Sequence, residues 1–123
     1  MHPFRAAVEA HDVQAAAAVL ADDVVFHSPI VFKPYIGRSA ACAVLPAVLR
    51  VFDDFAYEGE LTSKDGRDHA LMFRARVDGK DIQGCDFLRH DQSGRVVQLT
   101  VMVRPLTAAM ALRDRMAAEL ARA

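Results

Sequence analysis

The chain has 123 residues, with 15 Lys or Arg against 16 Asp or Glu and a formal net charge of −1. That balance argues against a phosphate-backbone partner, which calls for a basic excess, and 25% charged beside 53% apolar residues excludes a disordered chain. A chain of this size is expected to form one domain, 1–123, burying roughly two-thirds of its unfolded surface.

In chain order, an alanine-rich opening predicts a helix over 4–10 and a second over 13–20 capped by Asp12. Residues 24–28 read as a short strand stopped by Pro29, and 30–37 as a loop holding Pro34 and Tyr35. A longer helix follows over 39–52, with Val44, Leu45, Val48, Leu49 and Phe52 as its apolar stripe and a kink or late start at Pro46. Beyond Asp54 the period becomes two. Strands are predicted over 55–61, 69–77, 80–90 and 95–104, punctuated by Asp65-Gly66, Asp78-Gly79 and Ser93-Gly94, as in an antiparallel meander. Pro105 stops the last strand, and a closing helix carries Leu106, Met110, Arg113, Met116 and Leu120 on one face.

Turn positions set which side chains share a face. With Asp78-Gly79 at a hairpin tip, Leu71 opposes Asp86, so Leu71, Phe73 and Ala75 join Asp86, Leu88, Leu99 and Val101 on one apolar wall. For the first hairpin, a two-residue loop would turn Glu58 and Glu60 onto that wall. A three-residue loop turns Phe55, Tyr57 and Leu61 there instead, with Glu58 opposite Arg74, and is preferred because it hides the aromatics. A carboxylate on an apolar wall must be neutralised, paired or used, and desolvation raises its pKa. Asp86 is therefore the leading candidate for a general acid or a hydrogen-bond donor.

The opposite face collects Arg74, Arg76, Cys85, Phe87, Arg89, Met102 and Arg104, a mixture suited to the core of a protein interface, so a homodimer through that face is expected. No apolar run reaches the ~18 residues of a membrane span, and the first residues lack a signal-peptide pattern. Two isolated cysteines, Cys42 and Cys85, fit free thiols and a cytoplasmic setting. The histidines His2, His11, His27, His69 and His90 show no metal-ligand spacing, and no glycine-rich phosphate loop occurs, so neither metal nor cofactor is expected.

The element order, with Ala21-Asp22-Asp23-Val24-Val25-Phe26-His27-Ser28-Pro29, then Gly37-Arg38, then Asp86-Phe87-Leu88-Arg89-His90-Asp91-Gln92-Ser93-Gly94-Arg95-Val96, resembles the nuclear transport factor 2-like superfamily, in particular its SnoaL-like branch. The resemblance covers nearly the whole chain. It implies an α+β cone: a strongly curved, mostly antiparallel sheet wrapped by N-terminal helices, a central helix and a C-terminal helix around an apolar pocket. Homodimers are common among such folds. By the same resemblance Asp86 matches the aspartic acid that ketosteroid isomerases keep protonated to donate a hydrogen bond to an enolate. Their proton-shuttling aspartate, which precedes a proline, is replaced here by Ser28 before Pro29, and their first-helix tyrosine falls near Phe4. Two of three isomerase groups are thus missing, and steroid isomerisation by that route is not expected. Nor can the Asp-Arg-Asp set of limonene epoxide hydrolases be placed.

The candidate catalytic residues are Asp86, His27 and Ser28. By alternation Ser28 faces inward with Phe26, whereas His27 meets Asp86 only if Pro29 breaks the pattern. Phe26, Tyr35, Tyr57, Leu71, Phe73, Leu88, Leu99 and Val101 are the candidate ligand-binding residues. The expected ligand is a small apolar molecule with one carbonyl or hydroxyl, with or without acid–base chemistry of isomerase, cyclase or dehydratase type. The alternative is a non-catalytic dimerisation or protein-docking domain.

Overall fold

The computed structural model describes residues 1–121 as an α+β cone, with four helices against a six-stranded mixed sheet that does not close. The elements are α1 (Pro3–Glu9), α2 (Val13–Val19), β1 (Leu20–His27), β2 (Tyr35–Ile36), α3 (Arg38–Val51), β3 (Asp53–Thr62), β4 (Asp68–Val77), β5 (Lys80–His90), β6 (Val96–Arg104) and α4 (Leu106–Ala121). The sheet order is β2-β1-β6-β5-β4-β3; β1 lies parallel to β6 and every other pair is antiparallel.

Local chemistry accounts for the boundaries. Asp12 Oδ1 accepts the Ala15 N–H at 3.0 Å, the cap expected for α2. The turn from β2 into α3 uses Gly37 at φ 93°, a left-handed conformation that glycine adopts without a Cβ penalty. Arg38 then ties the start of α3 to the start of β1, with Nε and Nη2 donating to the Leu20 carbonyl at 3.2 and 2.9 Å and Nη2 2.9 Å from Asp22.

Four expectations need correction. Pro46 does not delay the start of α3, which begins at Arg38 and runs through the proline as one helix; the missing N–H removes one hydrogen bond of a helix otherwise held by packing. Residues 35–36 form a strand rather than loop, because they pair with Val25 and Phe26. On α4 the buried stripe is Ala108, Leu112 and Met116, while Leu106 and Met110 are exposed. In the first hairpin the two candidate registers each hold for part of the strand. Glu60 pairs with Leu71, the two-residue-loop parity, but a bulge between Tyr57 and Gly59 makes Glu58 an extra residue, so Tyr57 pairs with Phe73. The bulge turns Phe55 and Tyr57 inward with the parity of the preferred register and leaves Leu61 outside.

The β4–β5 register is as read from the turn, with Leu71 opposite Asp86 and Val77 opposite Lys80. Gly84 permits the closest approach on this wall: a Cβ there would come within 2.7 Å of both the Phe73 ring and the Met102 carbonyl oxygen. Arg74, Arg76, Phe87, Arg89, Met102 and Arg104 are exposed on the outer face, with Cys85 half-buried. The arginines there are paired within the chain: Arg74 with Glu58, Arg76 with Asp81, Arg89 with Asp68, and Arg104 with Gln83. Among the described residues, no helix is long and apolar enough to cross a membrane.

Candidate functional site

Between the inner face of the sheet and α1, α3 and α4 lies a cavity of about 240 Å³. Its walls are overwhelmingly apolar: Phe4 and Val8 from α1, Val44, Leu45, Val48 and Leu49 from α3, Phe52 just after it, Leu112 and Met116 from α4, and Phe26, Phe55, Phe73, Leu99 and Val101 from the sheet. Phe52, Phe55, Tyr57 and Phe73 form a continuous aromatic cluster, with ring centroids 4.9 to 6.4 Å apart.

Asp86 reaches this cavity from the middle of β5, buried to 6% exposure. Its carboxyl is held by the Tyr57 hydroxyl, which donates to Oδ2 at 2.8 Å. This is the only side-chain hydrogen bond to Asp86 among the described residues, and no cation opposes the charge. Burial therefore pushes its pKa up to about 7, and the Tyr57 bond only partly offsets this by favouring the anion. Burial and the neighbouring carboxylate together drive the Tyr57 phenol far above its usual range, so it stays a donor. A protonated Asp86 retains an O–H to offer a ligand's carbonyl; an ionised one accepts from a hydroxyl. Near neutral pH the carboxyl can serve either way.

The remaining candidates divide into two groups. Phe26, Ser28, Tyr35, Tyr57, Phe73, Leu99 and Val101 all border the cavity with Asp86. Ser28 Oγ accepts the Ile30 and Val31 N–H groups at 3.2 and 3.0 Å, so it shapes the loop after β1 and is not aligned by any base. Leu71 and Leu88 do not reach the cavity; both are fully packed in the core. His27 lies on the other face, where it borders a shallow groove with Phe32, Thr100 and Met102, because Pro29 does not break the alternation. The His27–Asp86 pair therefore does not form.

Three ionisable side chains at the cavity were not anticipated: Glu9 and His11 from the end of α1 and its following turn, and Arg113 from α4. His11 has φ 54°, a left-handed turn that places this exposed residue at the edge of the cavity. A helix-end position carries no periodic signal, which is why pattern reading missed it. Tyr57 was named as a possible hydroxyl, but its bond to Asp86 depends on the β3 bulge. Elsewhere, His2, His69 and His90 are brought together at one end of the sheet, which their distant sequence positions conceal.

The profile of the SnoaL-like domain matches residues 2–99. Among solved structures, the chain is similar to a steroid delta-isomerase from Pseudomonas aeruginosa, at 39% identity and a TM-score of 0.92, covering 97% of this chain and 87% of that one. It is also similar to an uncharacterized bacterial protein with a cystatin-like fold from Silicibacter pomeroyi DSS-3, at 34% identity and a TM-score of 0.88, covering 96% and 85%. A Mycobacterium tuberculosis protein solved in complex with estradiol-17beta-hemisuccinate shares the fold at 19% identity and a TM-score of 0.67, covering 86% and 91%. No curated protein matches the chain.

Proposed function

The chain belongs to the SnoaL-like domain family, and from that premise we propose that it binds a small, largely apolar molecule bearing one carbonyl or hydroxyl, anchored by Asp86 and Tyr57. One observation carries this reading: a buried Tyr57–Asp86 pair, 2.8 Å apart and without a counter-cation, on the wall of an otherwise apolar cavity. A structural carboxylate would saturate its hydrogen bonds inside the protein; this one has a single partner and open space beside it. The cavity lies just under the roughly 300–1,000 Å³ usual for small-molecule sites, so the ligand is of ring-system size or enters as Phe52 and Leu49 give way.

Similarity to a protein described as a steroid delta-isomerase, and a shared fold with one holding a steroid conjugate, support a ligand with a carbonyl or phenolic oxygen on an apolar body. If proton transfer follows binding, Asp86 supplies the acid. The complementary base would come from Glu9 or His11, the other described residues of the cavity able to accept a proton, because by the family resemblance Ser28 matches the position of the isomerases' shuttling aspartate.

The domain, 1–123, would act as a homodimer through the outer sheet face, in a cytoplasmic setting that suits the free Cys42 and Cys85. A specific observation supports the interface. Phe87 and Met102 are exposed on that face, and Phe32, fully exposed on the loop after β1, flanks the groove that reaches Met102. The same surface serves the second reading, a protein-docking domain.

The test is a binding titration with a cyclic enone and a phenol of similar size, read by protein NMR. Asp86→Asn and Tyr57→Phe should each weaken at least one probe about tenfold or more with the fold retained. Unchanged affinity for both probes in both variants would defeat the proposal.

A further inference from the structure

Outside the cavity, three imidazoles from three elements converge: His2 just before α1, His69 on β4 and His90 at the end of β5. Their ring centroids lie 4.6, 4.8 and 4.9 Å apart, and one nitrogen from each falls within 4.8 Å of the other two. His2 is buried, while His69 and His90 are partly exposed, which leaves a path from solvent.

Backbone groups hold each ring from behind and thereby assign its protons. His90 Nδ1 lies 2.7 Å from the Gly94 carbonyl oxygen and must donate to it, so its Nε2 presents a lone pair. His69 Nε2 lies 3.1 Å from the Gly66 carbonyl and likewise donates, so its Nδ1 presents a lone pair. His2 Nδ1 accepts the Phe4 N–H at 3.0 Å, so its single proton sits on Nε2 and bridges to His90 Nε2 at 2.7 Å. Two inward lone pairs and one bridging proton thus occupy a three-nitrogen nest. Carbonyls behind the far nitrogens of His69 and His90 are the outer-shell arrangement that orients metal-bound histidines.

We propose that His2, His69 and His90 form a binding site for a divalent transition ion of the zinc type, which would take the place of the hydrogen bond between His2 and His90. Three imidazoles are an established protein ligand set for such an ion, with a fourth position left to water. All three rings bind as neutral donors: the His2 proton moves from Nε2 to Nδ1, so that Nε2 offers its lone pair beside His69 Nδ1 and His90 Nε2, and no net proton is released. The Nδ1–H of His2 then faces the Phe4 N–H, so the hydrogen bond between them is given up on binding. With Zn–N bonds of roughly 2.0–2.1 Å in a tetrahedral shell, the His2 and His90 nitrogens must part by about half an ångström. The Thr62 hydroxyl, 3.1 Å from His69 Nδ1, must turn aside. Glu60 lies beside the nest, its Oε1 accepting the backbone N–H of His2 at 3.4 Å and pairing with Arg5 at 3.4 Å. Because His2 caps the helix that supplies Phe4, Val8 and Glu9 to the cavity, the ion would fasten that wall to the ends of β4 and β5.

The test is zinc chloride titrated calorimetrically into the untagged, metal-stripped full chain, in two buffers of different ionisation enthalpy. The expected result at pH 8 is one ion per chain, the same binding enthalpy in both buffers because the rings release no net proton, and at least a tenfold weaker affinity in both His69→Ala and His90→Ala, each checked for fold by circular dichroism. His11→Ala and His27→Ala should bind as the parent does. Absence of saturable binding at one ion per chain would overturn the proposal, and so would binding left unchanged by His90→Ala or lost in His11→Ala.

Discussion

Asp86 governs the chemistry of the site, and its environment predicts how stability depends on pH. The folded pKa of about 7 lies above the roughly 3.9 of an unfolded aspartate. Between these values the folded chain keeps the proton and the unfolded chain has lost it. Stability should therefore fall as pH rises from about 4 to about 7 and then level off. Asp86→Asn removes this dependence, so the variant should gain on the parent as pH rises, by up to a few kcal/mol near pH 8. Denaturant melts at pH 5 and pH 8 would show it; a parent midpoint independent of pH would contradict a buried, unopposed carboxyl. Tyr57→Phe deletes the one bond that favours the anion, worth roughly 1.5–3 kcal/mol for a charged acceptor. The Asp86 carboxyl, followed by carbon-13 NMR, should then titrate about one to two units higher than in the parent.

Strand and helix chemistry decides which of these groups meet. Asp12→Ala removes the hydrogen bond that starts α2 and should destabilise by about 1 kcal/mol. Gly84→Ala should destabilise by about 1–3 kcal/mol, because its new methyl meets the Phe73 ring on one side and a backbone carbonyl on the other. A thermal midpoint for Gly84→Ala equal to the parent's would mean that Phe73 does not pack against this glycine. Strand parity made Asp86, Phe73, Leu99 and Val101 legible in the bare sequence, since a tight turn at Asp78-Gly79 leaves only one alternation. The β3 bulge was not legible. Its extra residue, Glu58, has no turn signal of its own, and the bulge follows from aromatic burial competing with a six-residue connection between Thr62 and His69. The Tyr57–Asp86 bond was hidden for the same reason, and the stripe of α4 was read correctly only at Met116, because Leu106 and Met110 mimic an apolar face that Ala108 and Leu112 actually supply.

At the scale of the molecule, the cone keeps an apolar hollow open between sheet and helices and leaves the outer face of the sheet bare. If Phe32, Phe87 and Met102 form the core of a dimer interface, the double variant Phe87→Glu, Met102→Glu should sediment as a monomer while its circular dichroism matches the parent's. A parent that is itself monomeric at micromolar concentration would sink the dimer. Family resemblance anticipated this architecture from the motifs around Phe26 and Asp86, but it could not show Glu9, His11 and Arg113 at the cavity or the meeting of His2, His69 and His90. Those depend on where helix ends and hairpin tips land in space, which local periodicity does not encode.

The most direct measurement is a paired NMR titration of the parent chain with a cyclic ketone and the hydrocarbon of the same shape. A polar anchor in the hollow predicts saturable shifts at Tyr57, Asp86 and Val101 for the ketone, with the hydrocarbon bound at least several-fold more weakly. Equal affinity for the two, or no shift at any cavity residue, would contradict the account.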